Sequence, residues 1–205
     1  MALRYQIPAW LQRLYKGVVW RGDTARKVVY LTFDDGPVPE VTPLLLDILR
    51  REDVKATFFM VGENAAKHPE LVRRVLEEGH RVGNHTYNHL RGTKYKVVEY
   101  IANVVKASKV LDGTLLFRPP YGKLTRDQKS TLLAQDYQIV LWDILTHDYD
   151  AAYSAEKMFD IVRKHVRNGS IINFHDSMKS NERMLAAVPQ VIAYLRQQGY
   201  EFETL

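Results

Sequence analysis

Cysteine is absent from the 205 residues, which excludes disulfides, thiolate metal ligands and a cysteine nucleophile while leaving the redox compartment open. Glycine (11) and proline (8) are few and scattered, so collagen-like and low-complexity organisation is excluded. No apolar run approaches the roughly 20 residues of a membrane-spanning helix; the stretches 54–61 and 28–33 are broken by Lys55, Thr57 and Thr32. Arg4, Gln6 and Pro8 interrupt the place where a secretory leader would need about 7 to 15 apolar residues. The expected location is therefore cytoplasmic by default, or the cell envelope if the true start lies upstream. No lysine or arginine run accompanies the net charge of +5, so no nucleic-acid partner is expected.

What is present is the composition of one globular domain, with 46% apolar and 26% charged residues, long enough to bury one sizeable core. Short β-branched or aromatic runs at 28–33, 56–60, 80–84, 114–117, 138–142, 170–174 and 200–203 predict seven strands. Amphipathic patterns at 41–51, 69–78, 97–111, 126–134, 155–166 and 183–198 alternate with them, the signature of βα units around a parallel sheet. Gly79, Gly169 and Gly199 stand just past three of these helices, where a left-handed cap is wanted. Residues 8–19 predict a separate helix, with Trp10, Leu11, Leu14, Tyr15, Val18 and Val19 on one face and Gln12, Arg13 and Lys16 opposite. That face suits either a plug at the base of the sheet or contact with a membrane surface.

The unusual polar residues gather at one end of the predicted strands. Asp34 and Asp35 follow the first, His85 and His89 the third, Arg118 the fourth, Asp143 and Asp148 the fifth, His175 and Asp176 the sixth. In parallel α/β folds, loops after the carboxyl ends of strands converge on one face. His85 and His89, read as i and i+4 on a helical turn, are paired imidazole ligands, and with one carboxylate they leave open positions on a catalytic metal. If Asp35 is the third ligand, Asp34 stands beside it as a general base. Arg118 at a strand end needs a partner and could hold Asp34 bidentately. The prolines of Arg118-Pro119-Pro120-Tyr121-Gly122 stiffen a loop that aims the Tyr121 amide at a developing oxyanion. His175 leaves an apolar run at the same face, either packed or a general acid. Trp142, Tyr149 and Tyr121 offer flat apolar faces near the same end for binding a substrate, although core packing explains Trp142 slightly better. His147, beside the site-face acids, is a further candidate for substrate contact, whereas His68, His80 and His165 are given no chemistry.

Thr32-Phe33-Asp34-Asp35-Gly36-Pro37, His85-Thr86-Tyr87-Asn88-His89 and Arg118-Pro119-Pro120-Tyr121-Gly122, in that order, closely resemble the first three motifs of the NodB-like polysaccharide deacetylases, carbohydrate esterase family four. The resemblance runs from about Val28 to the C-terminus. It implies a distorted parallel (β/α) barrel of about seven strands in a single domain, with residues 1–27 as a helical extension packed on a catalytic domain of 28–205. It also implies a divalent metal, zinc first with cobalt or nickel as alternatives, and a carbohydrate substrate. Asp35, His85 and His89 correspond to metal ligands, Asp34 to the base, Arg118 to the residue orienting it, Tyr121 to the oxyanion donor and His175 to the acid.

Two positions depart from the family pattern. The fourth motif, roughly D-x-x-D-W, reads Leu145-Thr146-His147-Asp148-Tyr149, so the acid expected to tether the catalytic histidine is replaced by Leu145, and Asp143 or Asp148 is the substitute. The fifth, L-x-H, reads Asn173-Phe174-His175, which puts a polar Asn173 where a leucine lines the acyl pocket. The expected activity is removal of N-acetyl groups from a sugar polymer, oligosaccharide or lipid-linked sugar. The rivals are an O-deacetylase on acetylated xylan-type glycan and a catalytically silent sugar-binding domain.

Overall fold

The computed structural model describes residues 5–8, 10, 12 and 15–205. The longest uninterrupted β segment, β2 (Val28–Asp34), sorts its side chains by the two-residue period of a strand. Val29, Leu31 and Phe33 enter the large cluster packed under the helices, while Val28 and Tyr30 enter a smaller one with Phe59, Leu116, Val140 and Ile171 on the other face. Burial on both faces is what a parallel sheet covered by helices requires.

The remaining strands are β1 (Val18–Val19), β3 (Thr57–Met60), β4 (Arg81–Asn84), β5 (Leu116–Phe117), β6 (Gln138–Val140), β7 (Ile144–Leu145), β8 (Ser170–His175) and β9 (Glu201–Phe202). They run in the order β1-β6-β5-β4-β3-β2-β8-β7, with β9 also on β2, and every ladder is parallel. The sheet curls toward closure where Leu141 N donates to Val19 O (2.8 Å) and Asp143 N to Ile171 O (3.0 Å). Seven α-helices among the described residues cover the outside: α1 (Thr42–Arg51), α2 (Gly62–Lys67), α3 (Pro69–Glu77), α4 (Val97–Val110), α5 (Arg126–Ala134), α6 (Ala155–His165) and α7 (Asn181–Gln197). The result is the distorted parallel barrel, in one domain.

Local chemistry explains the helix ends. Pro69 opens α3, Thr125 caps α5 by accepting from Gln128 N, and Ser154 caps α6 by accepting from Lys157 N, each satisfying or avoiding an orphan donor. Gly79, Gly169 and Gly199 take φ of 80°, 76° and 79°, as their positions after helices predict. The N-terminal helix expected over 8–19 does not extend that far, because Val18 and Val19 form β1 against Ile139 and Val140. Leu11, Arg13 and Leu14 of that expected helix lie outside the described residues. Strand β7 and helix α2 fall outside the elements that the sequence periodicity predicts.

Candidate active site

The ends of the strands deliver the chemistry. Asp34 closes β2, His85 follows β4, Arg118 follows β5, Leu145 closes β7 and His175 closes β8. Asp34, His85, Leu145 and His175 line a cleft of about 600 Å³ together with Asp35, His89, Tyr121 and Tyr149, while Arg118 lies fully buried.

Asp35, His85 and His89 each bring one ligand atom to within 4.8 Å of the others. His85 Nδ1 lies 2.7 Å from the carbonyl oxygen of Arg118. A carbonyl only accepts, so that nitrogen carries the proton and Nε2 presents a lone pair. Burial lowers the His85 pKa to about 4, which keeps the ring neutral, the ligating form. Asp35 Oδ1 stands 3.6 Å from His85 Nε2 and 3.1 Å from His89 Nε2, yet this buried oxygen accepts no well-formed hydrogen bond. Burial opposes ionisation of Asp35, but His89, His175 and His85 outweigh it and hold the carboxyl well below the usual range. An orphaned carboxylate oxygen facing imidazole nitrogens fits a divalent cation with nitrogen and oxygen ligands.

The two histidines do not meet on a helical turn. The segment after β4 is a loop, Thr86 and His89 have φ of 64° and 53°, and the rings lie 5.1 Å apart. Asp35 (83°) and Tyr121 (60°) are left-handed as well. Such conformations cost about 1 kcal/mol or more for a side-chain-bearing residue, and they gather where a site needs them. The Asp35 turn is braced from behind, because Asp176 accepts from Gly36 N (3.0 Å) and from Thr42 Oγ1 (2.7 Å). Burial raises the Asp176 pKa to about 8, with the charge of Asp35 adding to it. The sequence alone assigns no role to Asp176 or Thr42.

Arg118 is fully buried and Asp34 nearly so. The contact is single rather than bidentate: Arg118 Nη1 donates to Asp34 Oδ1 at 2.7 Å, and also reaches Thr32 Oγ1 (2.8 Å) and Asn173 Oδ1 (2.7 Å). Nη2 donates to Leu141 O (3.0 Å), and the guanidinium carbon lies 4.0 Å from the centre of the Phe59 ring. Asn173 is also fully buried. Instead of facing the cleft as an acyl-pocket residue, it donates through Nδ2 to Asp34 Oδ2 at 3.1 Å. Leu145, its register partner on β7, lines the cleft.

His175 is tethered by Asp148, not Asp143. Asp148 accepts from His175 Nδ1 (2.7 Å) and from the His175 amide (2.6 Å). Burial works against the charged ring, but Asp148, with Asp35 and Asp34, outweighs it and raises the His175 pKa to about 10. Asp143 serves the other end of β8, where it accepts from Ser170 Oγ (2.7 Å), Arg167 Nε (3.0 Å) and Gln6 Nε2 (3.1 Å). Tyr121 and Tyr149 are exposed at the cleft, whereas Trp142 both lines it and packs on the inner core. His147 Nδ1 lies 2.9 Å from the Tyr149 hydroxyl.

Residues 21–140 match the polysaccharide deacetylase family. Over 193 residues the chain is 35% identical to a peptidoglycan-N-acetylglucosamine deacetylase of Bacillus cereus, covering 92% of this chain and 91% of the relative. It is 32% identical over 194 residues to a chitooligosaccharide deacetylase of a Bradyrhizobium strain, covering 86% and 88%. A crystal structure of a peptidoglycan N-acetylglucosamine deacetylase in complex with 4-naphthalen-1-yl-N-oxidanyl-benzamide aligns with a TM-score of 0.90 at 34% identity, over 97% of this chain and 95% of that one.

Proposed function

The chain belongs to the polysaccharide deacetylase family, and from that premise we propose that it removes N-acetyl groups from N-acetylglucosamine units of a cell-envelope glycan. In this reading residues 28–205 are the catalytic domain and 1–27 an extension that contributes β1 to its sheet. The observation that carries the reading is one cleft in which Asp35, His85 and His89 converge while Asp34 and His175, paired in register on β2 and β8, stand beside them.

Asp35, His85 and His89 would hold a divalent cation, and two imidazoles with one carboxylate suit zinc, with cobalt or nickel as alternatives. Once bound, such an ion supplies Lewis acidity, polarising the acetyl oxygen and lowering the pKa of water. Asp34 takes one proton from the water whose oxygen attacks the acetyl carbon. The Tyr121 amide donates to the oxyanion that develops. As the carbon–nitrogen bond breaks, His175 gives its proton to the leaving nitrogen, and acetate and a free amine result. A pKa of about 10 keeps His175 protonated at neutral pH, the form an acid needs. Asp148 positions that ring, and Arg118 positions Asp34. Tyr121, Tyr149 and Trp142 present rings to the sugar, and Leu145 supplies an apolar wall for the acetyl methyl.

Acetate and free-amine release from N-acetylglucosamine oligomers and from peptidoglycan, measured beside acetate release from acetylated xylan, tests the reading. Amine release from an amino-sugar substrate is expected. Acetate from the xylan ester alone would replace this reading with that of an O-deacetylase, and no release from any substrate would favour a silent sugar-binding domain.

A further inference from the structure

The side chain of Asn173 bridges the two charged members of a buried pair. Its Oδ1 accepts from Arg118 Nη1 at 2.7 Å and its Nδ2 donates to Asp34 Oδ2 at 3.1 Å. A guanidinium only donates and a carboxylate only accepts, so the orientation of the amide is fixed by its neighbours. Few side chains can do this. A leucine would leave both partners one hydrogen bond short, and an aspartate would set a second negative charge against Asp34.

The bridge completes a clamp. Arg118 Nη1 holds Asp34 Oδ1 at 2.7 Å and Asn173 holds Oδ2, so both carboxylate oxygens are tied from the protein side. Register brings this about, because Asn173 is paired with Thr32 and His175 with Asp34. Side chains two apart on a strand share a face, which places Asn173 one layer deeper than the cleft. We infer that Asn173 is a positioning residue that fixes the plane of the Asp34 carboxylate, and that it contacts neither substrate nor metal. The inference rests on the reading of Asp34 as the base.

The test is a cycle of Asn173→Ala, Asp34→Asn and the double variant, assayed for kcat, KM and bound metal per chain. Asn173→Ala should lower kcat roughly 10- to 100-fold, the scale on which a misplaced catalytic group loses rate, while KM and metal content stay within about 2-fold of wild type. In the Asp34→Asn background the same change should lower kcat by less than about 3-fold, since residues acting through one group are not additive. Asn173→Ser, which keeps a polar hydrogen in the layer, takes the place of Asn173→Ala in every comparison if the alanine variant does not fold. An unchanged kcat, a full loss that persists without the Asp34 carboxylate, or a loss matched by loss of metal would overturn the inference. Wild-type activity in Asp34→Asn alone would instead remove Asp34 as the base.

Discussion

Asp148 holds His175 at two points, accepting from the ring Nδ1 at 2.7 Å and from the backbone amide of the same residue at 2.6 Å. Ring and main chain are thereby referred to one carboxylate, and Nε2 is the nitrogen left for proton transfer. The folded pKa of about 10 lies above the roughly 6.5 of a free imidazole. The contact therefore contributes stability that is full below about pH 6.5 and is lost as pH rises toward 10.

Asp148→Asn removes the charge and keeps an acceptor. With His175 as the proposed acid and its pKa raised by Asp148 to about 10, the alkaline limb of kcat/KM should move to lower pH in this variant. Rate profiles between pH 6 and 10.5 check this, and a limb that stays in place would remove His175 as the acid.

Asp34→Asn should lower turnover by at least about 100-fold, the effect of a lost base, while metal content stays near wild type. The same change leaves the fully buried Arg118 without its carboxylate, so unfolding free energy should fall by about 2 to 4 kcal/mol. Metal analysis and denaturant titration separate the two effects, and metal loss equal to the activity loss would reassign Asp34 as a ligand.

Chelation should abolish turnover, and zinc, cobalt or nickel should restore it. Asp35→Ala, His85→Ala and His89→Ala should each lower metal per chain at least about 10-fold, because each removes one of the three proposed donors. Undiminished metal in any of them excludes that residue from the site.

Gly36→Ala would place a methyl 2.0 Å from Asp176 Oδ2, in the hydrogen-bonded space behind the Asp35 turn. A loss of about 2 to 4 kcal/mol in stability is expected, with weaker metal retention as the turn shifts. Asp176→Ala in the same chain should recover part of the melting temperature if that contact is the cause.

His80 is buried, its Nδ1 accepts from Ala56 N at 3.1 Å, and burial lowers its pKa to about 4. The folded ring binds a proton less readily than the unfolded one, so its contribution is full above about pH 6.5 and is lost as pH falls toward 4. His80→Gln should flatten the decline in stability across that window, measured by urea unfolding at pH 7, 5.5 and 4.5.

Helices with a proline or a capping hydroxyl at the start and a basic or glycine end were readable to within two residues, since those signals act locally. Strands β1 and β7, two residues each, are too short for any period, and their existence depends on neighbours distant in the chain. His85 and His89 converge from a loop with two left-handed residues rather than from the helical turn that their spacing predicts, because that backbone is set by the surrounding structure and not by a local period. Asp143 and Asp148 could not be told apart, since the four residues between them carry the chain from one end of β8 to the other. That Leu145 lines the cleft while its partner Asn173 is buried is likewise a matter of register, and register across separate strands is fixed only when the sheet assembles.

Arg118 touches both halves of the cleft, since its carbonyl oxygen orients His85 and its guanidinium fastens Asp34. A displacement of this one residue carries His85 and Asp34, the proposed metal donor and proton acceptor, along together, so the spacing between them is insulated from motion of the loop as a whole. Pro119 and Pro120, directly after it, stiffen the backbone at the point where such a common-mode reference is most useful.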